Sequence, residues 1–289
     1  MTAVLQRIQV VLRLGKPRIA LMVGITSFVG AVSGPVPGGS VYDVLGITLL
    51  TILTAYGSAV INNYLDRDVD VLMKRTRGRP LVSGEFPAGR ALRLGVLSVV
   101  ISVFSIFLLY GILPAFLAFL AFVSYSILYT LYLKRNTPWA SVIGAVPGAM
   151  PPLIGYSAIA GSVGIEALLL FLILFVWQPP HFWYLAMMLE GDYRRAGIPV
   201  LPVIYGRGFT RKLTLLFSIL MVPAFLLPCV FKIAGSGYCY GAGILSIVWA
   251  FVSILAYRGR ISSRGAFLIS NMVVLAVFLL FAFELVRPF

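Results

Sequence analysis

Nine apolar runs, near residues 17–33, 43–65, 93–111, 114–133, 138–160, 165–188, 211–231, 238–257 and 265–286, occupy most of the chain. Most of them reach the roughly 20 residues that a helix needs to cross a bilayer. In hydrocarbon every backbone polar group must be bonded within the segment, so such runs become helices and not loops or open strands. The sequence therefore predicts an all-α integral membrane protein, with nine transmembrane helices around a central cavity, in a single domain over residues 1–289. The first run is the shortest and ends at Gly34-Pro35. Only 11% of the residues are charged and 60% are hydrophobic, against about 25% charged in a soluble domain.

The net charge of +14 would suit nucleic acid if it were spread over a soluble surface. Instead the Lys and Arg fall in the loops between spans, which excludes a nucleic-acid partner. With nine spans, 21 of the 23 lie on the N-terminal side and only Lys232 and Arg287 on the other. Basic loops stay in the cytoplasm, so the expected N-terminus is cytoplasmic and the C-terminus external. No cleavable leader or transit peptide is evident, which favours the plasma membrane of a prokaryote. Cys229 and Cys239 show neither metal-ligand nor redox spacing, and free thiols are expected in preference to a disulfide on the outer face.

Two loops are long: one after the second span and one after the sixth, four spans later. Long structured loops at equivalent places in two halves suggest one site built from both. Pro147, Pro151, Pro152, Pro179 and Pro180 predict kinked helices around a cavity rather than a tight bundle.

The first long loop opens with Asn62, Asp66 and Asp70, spaced by four. On a helix continuing from the second span they share one face at the membrane border. Such hard oxygens suit Mg²⁺, which keeps waters and bridges one or two carboxylates to substrate phosphates. Arg75, Arg77 and Arg79 follow, and guanidinium forks match phosphate oxygens. Together they make a candidate site for a divalent metal and a diphosphate. Charge runs are more often solvated faces, and Arg67, Asp68 and Arg75 would suit that reading. Acids at a membrane border are functional candidates by default.

The second long loop carries Glu190, Asp192, Tyr193, Arg194 and Arg195. Glu190 and Asp192 offer a second metal face, and Arg194 and Arg195 a phosphate hold. His181, the lone histidine, follows Pro179-Pro180 in an aromatic stretch. Three roles stay open for it: a packed core residue, contact with a bound cofactor, or proton transfer.

Asn62-Asn63-x-x-Asp66-x-x-x-Asp70 resembles the first aspartate-rich motif of the UbiA superfamily of intramembrane prenyltransferases. Five longer strings are similar to one branch of it, the protohaem IX farnesyltransferases or haem O synthases. They are Asp70-x-x-Met73-x-Arg75-Thr76-x-x-Arg79-Pro80-Leu81, Leu133-Lys134-Arg135-x-Thr137-Pro138-Trp139, Pro151-Pro152-Leu153-Ile154-Gly155, Pro180-His181-Phe182, and Asp192-Tyr193-x-x-Ala196-Gly197-Ile198-Pro199-x-Leu201-Pro202. The matches run in order from about residue 16 to about 206. Unlike the wider superfamily, the chain has Asn63 in place of an Asp, and only Glu190 and Asp192 where a second Asp-x-x-x-Asp stands. The haem branch is similar in this, and fewer carboxylates then remain for a second Mg²⁺.

The resemblance implies a UbiA-type prenyltransferase fold and a reaction in which farnesyl diphosphate, haem B and water give haem O and diphosphate. It implies catalytic roles for Asn62, Asp66, Asp70, Asp192 and His181, with Mg²⁺ on Asn62, Asp66 and Asp70. It implies substrate contacts for Asn63, Arg75, Arg79, Lys134, Arg135, Tyr193 and Arg194. Lys134 and Arg135 would bind diphosphate or haem propionates, or else serve only as cytoplasmic anchors. Tyr125, Tyr129, Trp183 and Tyr184 would steady an allylic cation, or else simply pack. The implied partners are the two substrates, the lipid bilayer, and haem A synthase or a terminal oxidase assembly. The alternative enzyme is a relative acting on a quinone precursor or lipid glycerol, which His181 and the two-acid second loop oppose. A transporter would want charges deep in the spans, and nearly all the acids here cluster at their cytoplasmic ends.

Overall fold

The structure, a computed structural model, describes residues 2–34 and 40–286. Pro35, the turn near Gly38 and Arg287 lie outside the described residues. Helices α1 (Thr2–Leu14), α2 (Pro17–Val32), α3 (Val41–Leu65), α4 (Arg67–Asp70) and α5 (Ala88–Tyr110) lead into α6 (Ile112–Asn136) and α7 (Ala140–Ala160). They are followed by α8 (Ile165–Met188), α9 (Glu190–Arg195), α10 (Leu201–Ile204), α11 (Gly206–Val230), α12 (Ser236–Tyr257) and α13 (Ser263–Val286). Among the described residues there is no strand. Eight of these helices (α3, α5–α8 and α11–α13) are long and apolar enough to span a membrane. The ninth apolar helix, α2, has 16 residues, a length of about 24 Å. Side chains left exposed on the spans, such as Leu108, Ile247 and Met272, are apolar, as lipid contact requires.

The spans start or end closer to the charges than the apolar runs suggest. α5 begins directly after Pro87, so Arg90 and Arg93 sit in its first turns, where long basic stems can reach the interface. Two apolar cores hold the bundle. One gathers Leu170, Ile173, Phe225, Tyr238, Trp249 and Phe281 from α8 and α11–α13. The other joins α2, α3, α5, α6 and α7 through Ala31, Ile47, Ile106, Ala118 and Ile154. α2 crosses α7 at very close range: a Cβ on Gly155 would lie 1.9 Å from the Ser27 carbonyl oxygen, and one on Gly30 would lie 2.1 Å from that of Pro152.

The prolines break one span and not the other. α7 runs as three pieces, Ala140–Ile143, Ala145–Ala149 and Pro151–Ala160, while Pro179 and Pro180 stay inside an unbroken α8. No proline marks the third irregularity. Val123–Leu133, within α6, is π-helical, and there Thr130 Oγ1 donates to the Tyr125 carbonyl five residues back at 2.8 Å.

The expectation of free thiols is corrected. Cys229 and Cys239 form a disulfide with Cα atoms 5.8 Å apart. The connection between α11 and α12 is a tight turn, in which the amides of Ile233 and Ala234 both bond to the Pro228 carbonyl. That turn brings the last residues of one span against the first of the next.

Candidate active site

α3 carries Asn62 in its last turn at the basic border and ends at Leu65, and the chain pauses at Asp66 before α4. The amide of Asp66 still bonds to the Asn62 carbonyl at 2.9 Å, and that of Asp70 to the Asp66 carbonyl at 2.8 Å. The spacing of four is thus kept across the break. Asn62, Asp66 and Asp70 are all buried, at 2–3% exposure, so they are not the solvated face that a charge run usually makes. The Asn62 amide donates to Asp66 Oδ2 at 3.0 Å and to Thr130 Oγ1 at 2.9 Å. Asp66 Oδ1 is buried with no partner.

Three cations close round this face from three elements. Lys134, at the end of α6, meets Asp66 Oδ2 at 2.7 Å, and Arg79 meets Asp70 Oδ2 at 2.5 Å. Lys16, between α1 and α2, donates to Asn62 Oδ1 and lies 3.4 Å from the Tyr125 hydroxyl. Burial, and after it the nearby Arg79, lower the Lys16 ammonium to about 7 against the pull of Asp66 and Asp70. The π-helical stretch matters here, because it carries Tyr125, Tyr129 and Thr130. Tyr125 and Tyr129 stack with centroids 6.1 Å apart.

The two long loops meet. Val69 and Met73 pack against Ala186, Tyr193 and Ile198. Asp192 is buried, accepts from the Arg75 amide at 3.1 Å, and pairs with Arg195. Burial pushes the Tyr193 phenol up against the opposing pull of Arg75 and Arg79. A cavity of about 30 Å³ between the loops and the spans is lined by Tyr129, Lys134, Phe182, Trp183 and Tyr193, among others. A wider open cleft lies beside it between Lys74, Arg75, Asp192 and Arg195.

Other expected site residues turn elsewhere. Asn63, one step round α3, donates to the Leu14 carbonyl at 2.6 Å. Arg135 grips exposed Asp68 with two bonds of 2.8 Å and the Leu65 carbonyl at 2.9 Å; this grip holds the Asp68 carboxyl below its usual range. Glu190 is held by Arg207 at 2.6 Å and Arg194 at 2.9 Å, and these bonds keep its carboxyl low, Arg207 foremost. Arg77 is exposed. Tyr184 packs edge-on to Trp249 in the core formed by α8 and α11–α13. His181 is stacked between Trp177 and Phe267, at 4.5 and 4.3 Å, with Nδ1 3.0 Å from Ser270 Oγ. Since none of these contacts involves the acidic cluster, His181→Phe is expected to leave the binding of inorganic diphosphate unchanged. Calorimetry on the purified protein checks this, and a weakened affinity would count against the separation.

Sequence reading missed Lys16 and Thr130 as members of this cluster. Lys16 counts in the sequence only among the 21 basic residues of the N-terminal side, and its place just before Pro17, at a span border, is the one hint of more. Among the described residues, no three of His, Cys, Asp or Glu gather to cage a metal by themselves.

The pattern of the UbiA prenyltransferase family matches residues 20–272. A protoheme IX farnesyltransferase of Acidiphilium cryptum is 38% identical over 269 residues, 92% of this chain and 84% of that one. Two solved structures share the fold at 20% identity. A UbiA homologue from Aeropyrum pernix K1 in its apo form gives a TM-score of 0.74, covering 89% of this chain and 94% of that one. A UbiA homologue from Archaeoglobus fulgidus bound to DMAPP and Mg²⁺ gives 0.64, covering 94% and 98%.

Proposed function

Since the chain belongs to the UbiA prenyltransferase family, we propose that it transfers the farnesyl group of farnesyl diphosphate to a vinyl group of haem B, giving haem O and diphosphate. The likeness to a protoheme IX farnesyltransferase over 92% of the chain supports the choice of substrates. The observation that carries the site is the buried Asn62-Asp66-Asp70 face ringed by Lys16, Arg79 and Lys134.

The donor set suits Mg²⁺. Two buried carboxylates and an amide share one face, and Asp66 Oδ1 has no other partner. Asn62, Asp66 and Asp70 would hold the ion, which when bound supplies positive charge to the diphosphate. Arg79 and Lys134 orient the diphosphate and stabilise the charge that grows on it as its bond to the allylic carbon breaks. The faces of Tyr129 and Trp183, which line the cavity beside Lys134, steady the cation left on the farnesyl carbon. The haem vinyl forms the new carbon–carbon bond there. Water adds to the resulting cation and loses a proton, leaving the hydroxyl of haem O. Asp192 and Tyr193 close the mouth from the second loop and limit water at the breaking bond. The test is release of diphosphate from farnesyl diphosphate by purified protein. It should require haem B, and release driven by a quinone precursor or a glycerol lipid instead would overturn the assignment.

The basic end of the bundle faces the cytoplasm of a prokaryotic cell in this reading, as basic loops do. The disulfide between α11 and α12 supports it, since disulfides persist on the oxidising side. Reporter tags at the N-terminus and near Arg77, Arg135, Arg207 and Arg260 are expected to read cytoplasmic. Tags near Gly161, Ser236 and the C-terminus should read external. A cytoplasmic C-terminus would refute the arrangement.

A further inference from the structure

Lys134 and Arg79 each face a carboxylate, but Lys16 does not: its partners are the neutral Asn62 amide oxygen and the Tyr125 hydroxyl. A buried ammonium without a carboxylate of its own is costly unless a counter-charge arrives. The backbone is built to hold it there. Lys16 is one of two non-glycine residues among those described with a left-handed backbone, at φ 51°, a conformation kept only where its surroundings enforce it. On its N-terminal side α1 is tied down. Tyr56 donates to the Val11 carbonyl at 2.7 Å, Asn63 to that of Leu14 at 2.6 Å, and Arg13 reaches Gly78 and Glu85. On its C-terminal side Pro17 starts α2. The neighbouring charges are Asp66 and Asp70 against Arg79 and Lys134. With Lys16 protonated, three cations over two carboxylates leave one positive charge. A divalent metal would raise this to three, which a fully ionised prenyl diphosphate neutralises.

We propose that Lys16 is a diphosphate-binding residue, whose ammonium exchanges the Asn62 amide oxygen for a diphosphate oxygen and so frees that amide oxygen for the metal. This rests on the reading of the Asp66–Asp70 face as the diphosphate site, and it gives Asn63 a positioning role through Leu14.

The test is calorimetric binding of inorganic diphosphate with Mg²⁺ to the full-length protein in detergent, alongside a spectral titration with haem B and a thermal melt. Lys16→Gln is expected to weaken diphosphate binding about ten- to a hundred-fold, the range of a lost charged hydrogen bond, and to leave haem binding unchanged. Lys16→Arg should recover part of the loss. If Lys16→Gln fails to fold, Lys16→Met keeps the stem packed and reads the same affinity. Unchanged diphosphate affinity in a folded variant overturns the proposal, as does a loss confined to haem. If the unaltered protein itself does not bind diphosphate, the reading of the whole site falls, and this inference with it.

Discussion

Asp66→Asn and Asp70→Asn are each expected to reduce farnesyl transfer at least about 100-fold, the scale on which one preorganised electrostatic group acts at a reacting centre. Each substitution keeps the shape of the side chain and removes the charge that Mg²⁺ and the adjacent cation both need. Asp66 loses its pairing with Lys134, and Asp70 its pairing with Arg79. Removing one partner of a buried pair costs about 3–5 kcal/mol where the other is left fully buried. Here Lys134 and Arg79 remain 17% and 21% exposed, so folding should survive and activity should not. Asp68→Asn is the contrast, because Asp68 is 61% exposed and serves Arg135, and its effect should be mild. Turnover assays paired with a thermal melt separate loss of chemistry from loss of fold. Full activity of Asp70→Asn, or of protein stripped with EDTA, would remove the basis of the metal assignment.

The second large effect is structural. Gly155→Leu is expected to destabilise the protein by at least about 3 kcal/mol, at or above the usual cost of overpacking, and Gly155→Ala by about 1–3 kcal/mol. At this point α7 lies against the backbone of α2, and the added carbon meets a carbonyl oxygen that cannot rotate away. Small residues let membrane helices approach this closely where no hydrophobic drive exists between them. Gly243, within α12, has nothing within 4 Å of such a carbon, so Gly243→Ala should be neutral or slightly stabilising. Denaturation of the three variants in detergent decides the matter. Equal stability of Gly155→Leu and the parent would mean that the two helices do not cross there.

The spans were legible because hydrocarbon imposes length and polarity on every segment alike. The face of Asn62, Asp66 and Asp70 was legible because a helix converts a spacing of four into proximity, and the hydrogen bonds bridging Asp66 preserve that spacing through the break. Lys16 was not, since it reaches Asn62 across 46 residues and any basic residue at a span end reads as an anchor. The cysteine pair escaped because a separation of ten does not reveal that the chain reverses tightly between them. The sequence also suggested that Asn63 and Arg135 would face the substrate. In the structure Asn63 bonds to the Leu14 carbonyl, and Arg135 to Asp68 and the Leu65 carbonyl, partners that depend on which way a side chain leaves the helix. The close crossing at Gly155 needed the partner helix to be seen, as a lone glycine within a span does not announce what lies against it.

The π-helical stretch of α6 makes that span a vernier. An α-helical turn takes 3.6 residues, and each wider turn stores extra length without extra height. The register of Lys134 and Arg135 at the membrane border is therefore set by slack upstream of them, not by the depth of the span alone. Drawing out one residue of that slack would rewind the segment toward an ordinary helix and turn its lower end by about 100°. Lys134 would swing off Asp66 while the span still crossed the bilayer. The span's fit to the membrane and the aim of its basic end can in this way be adjusted separately.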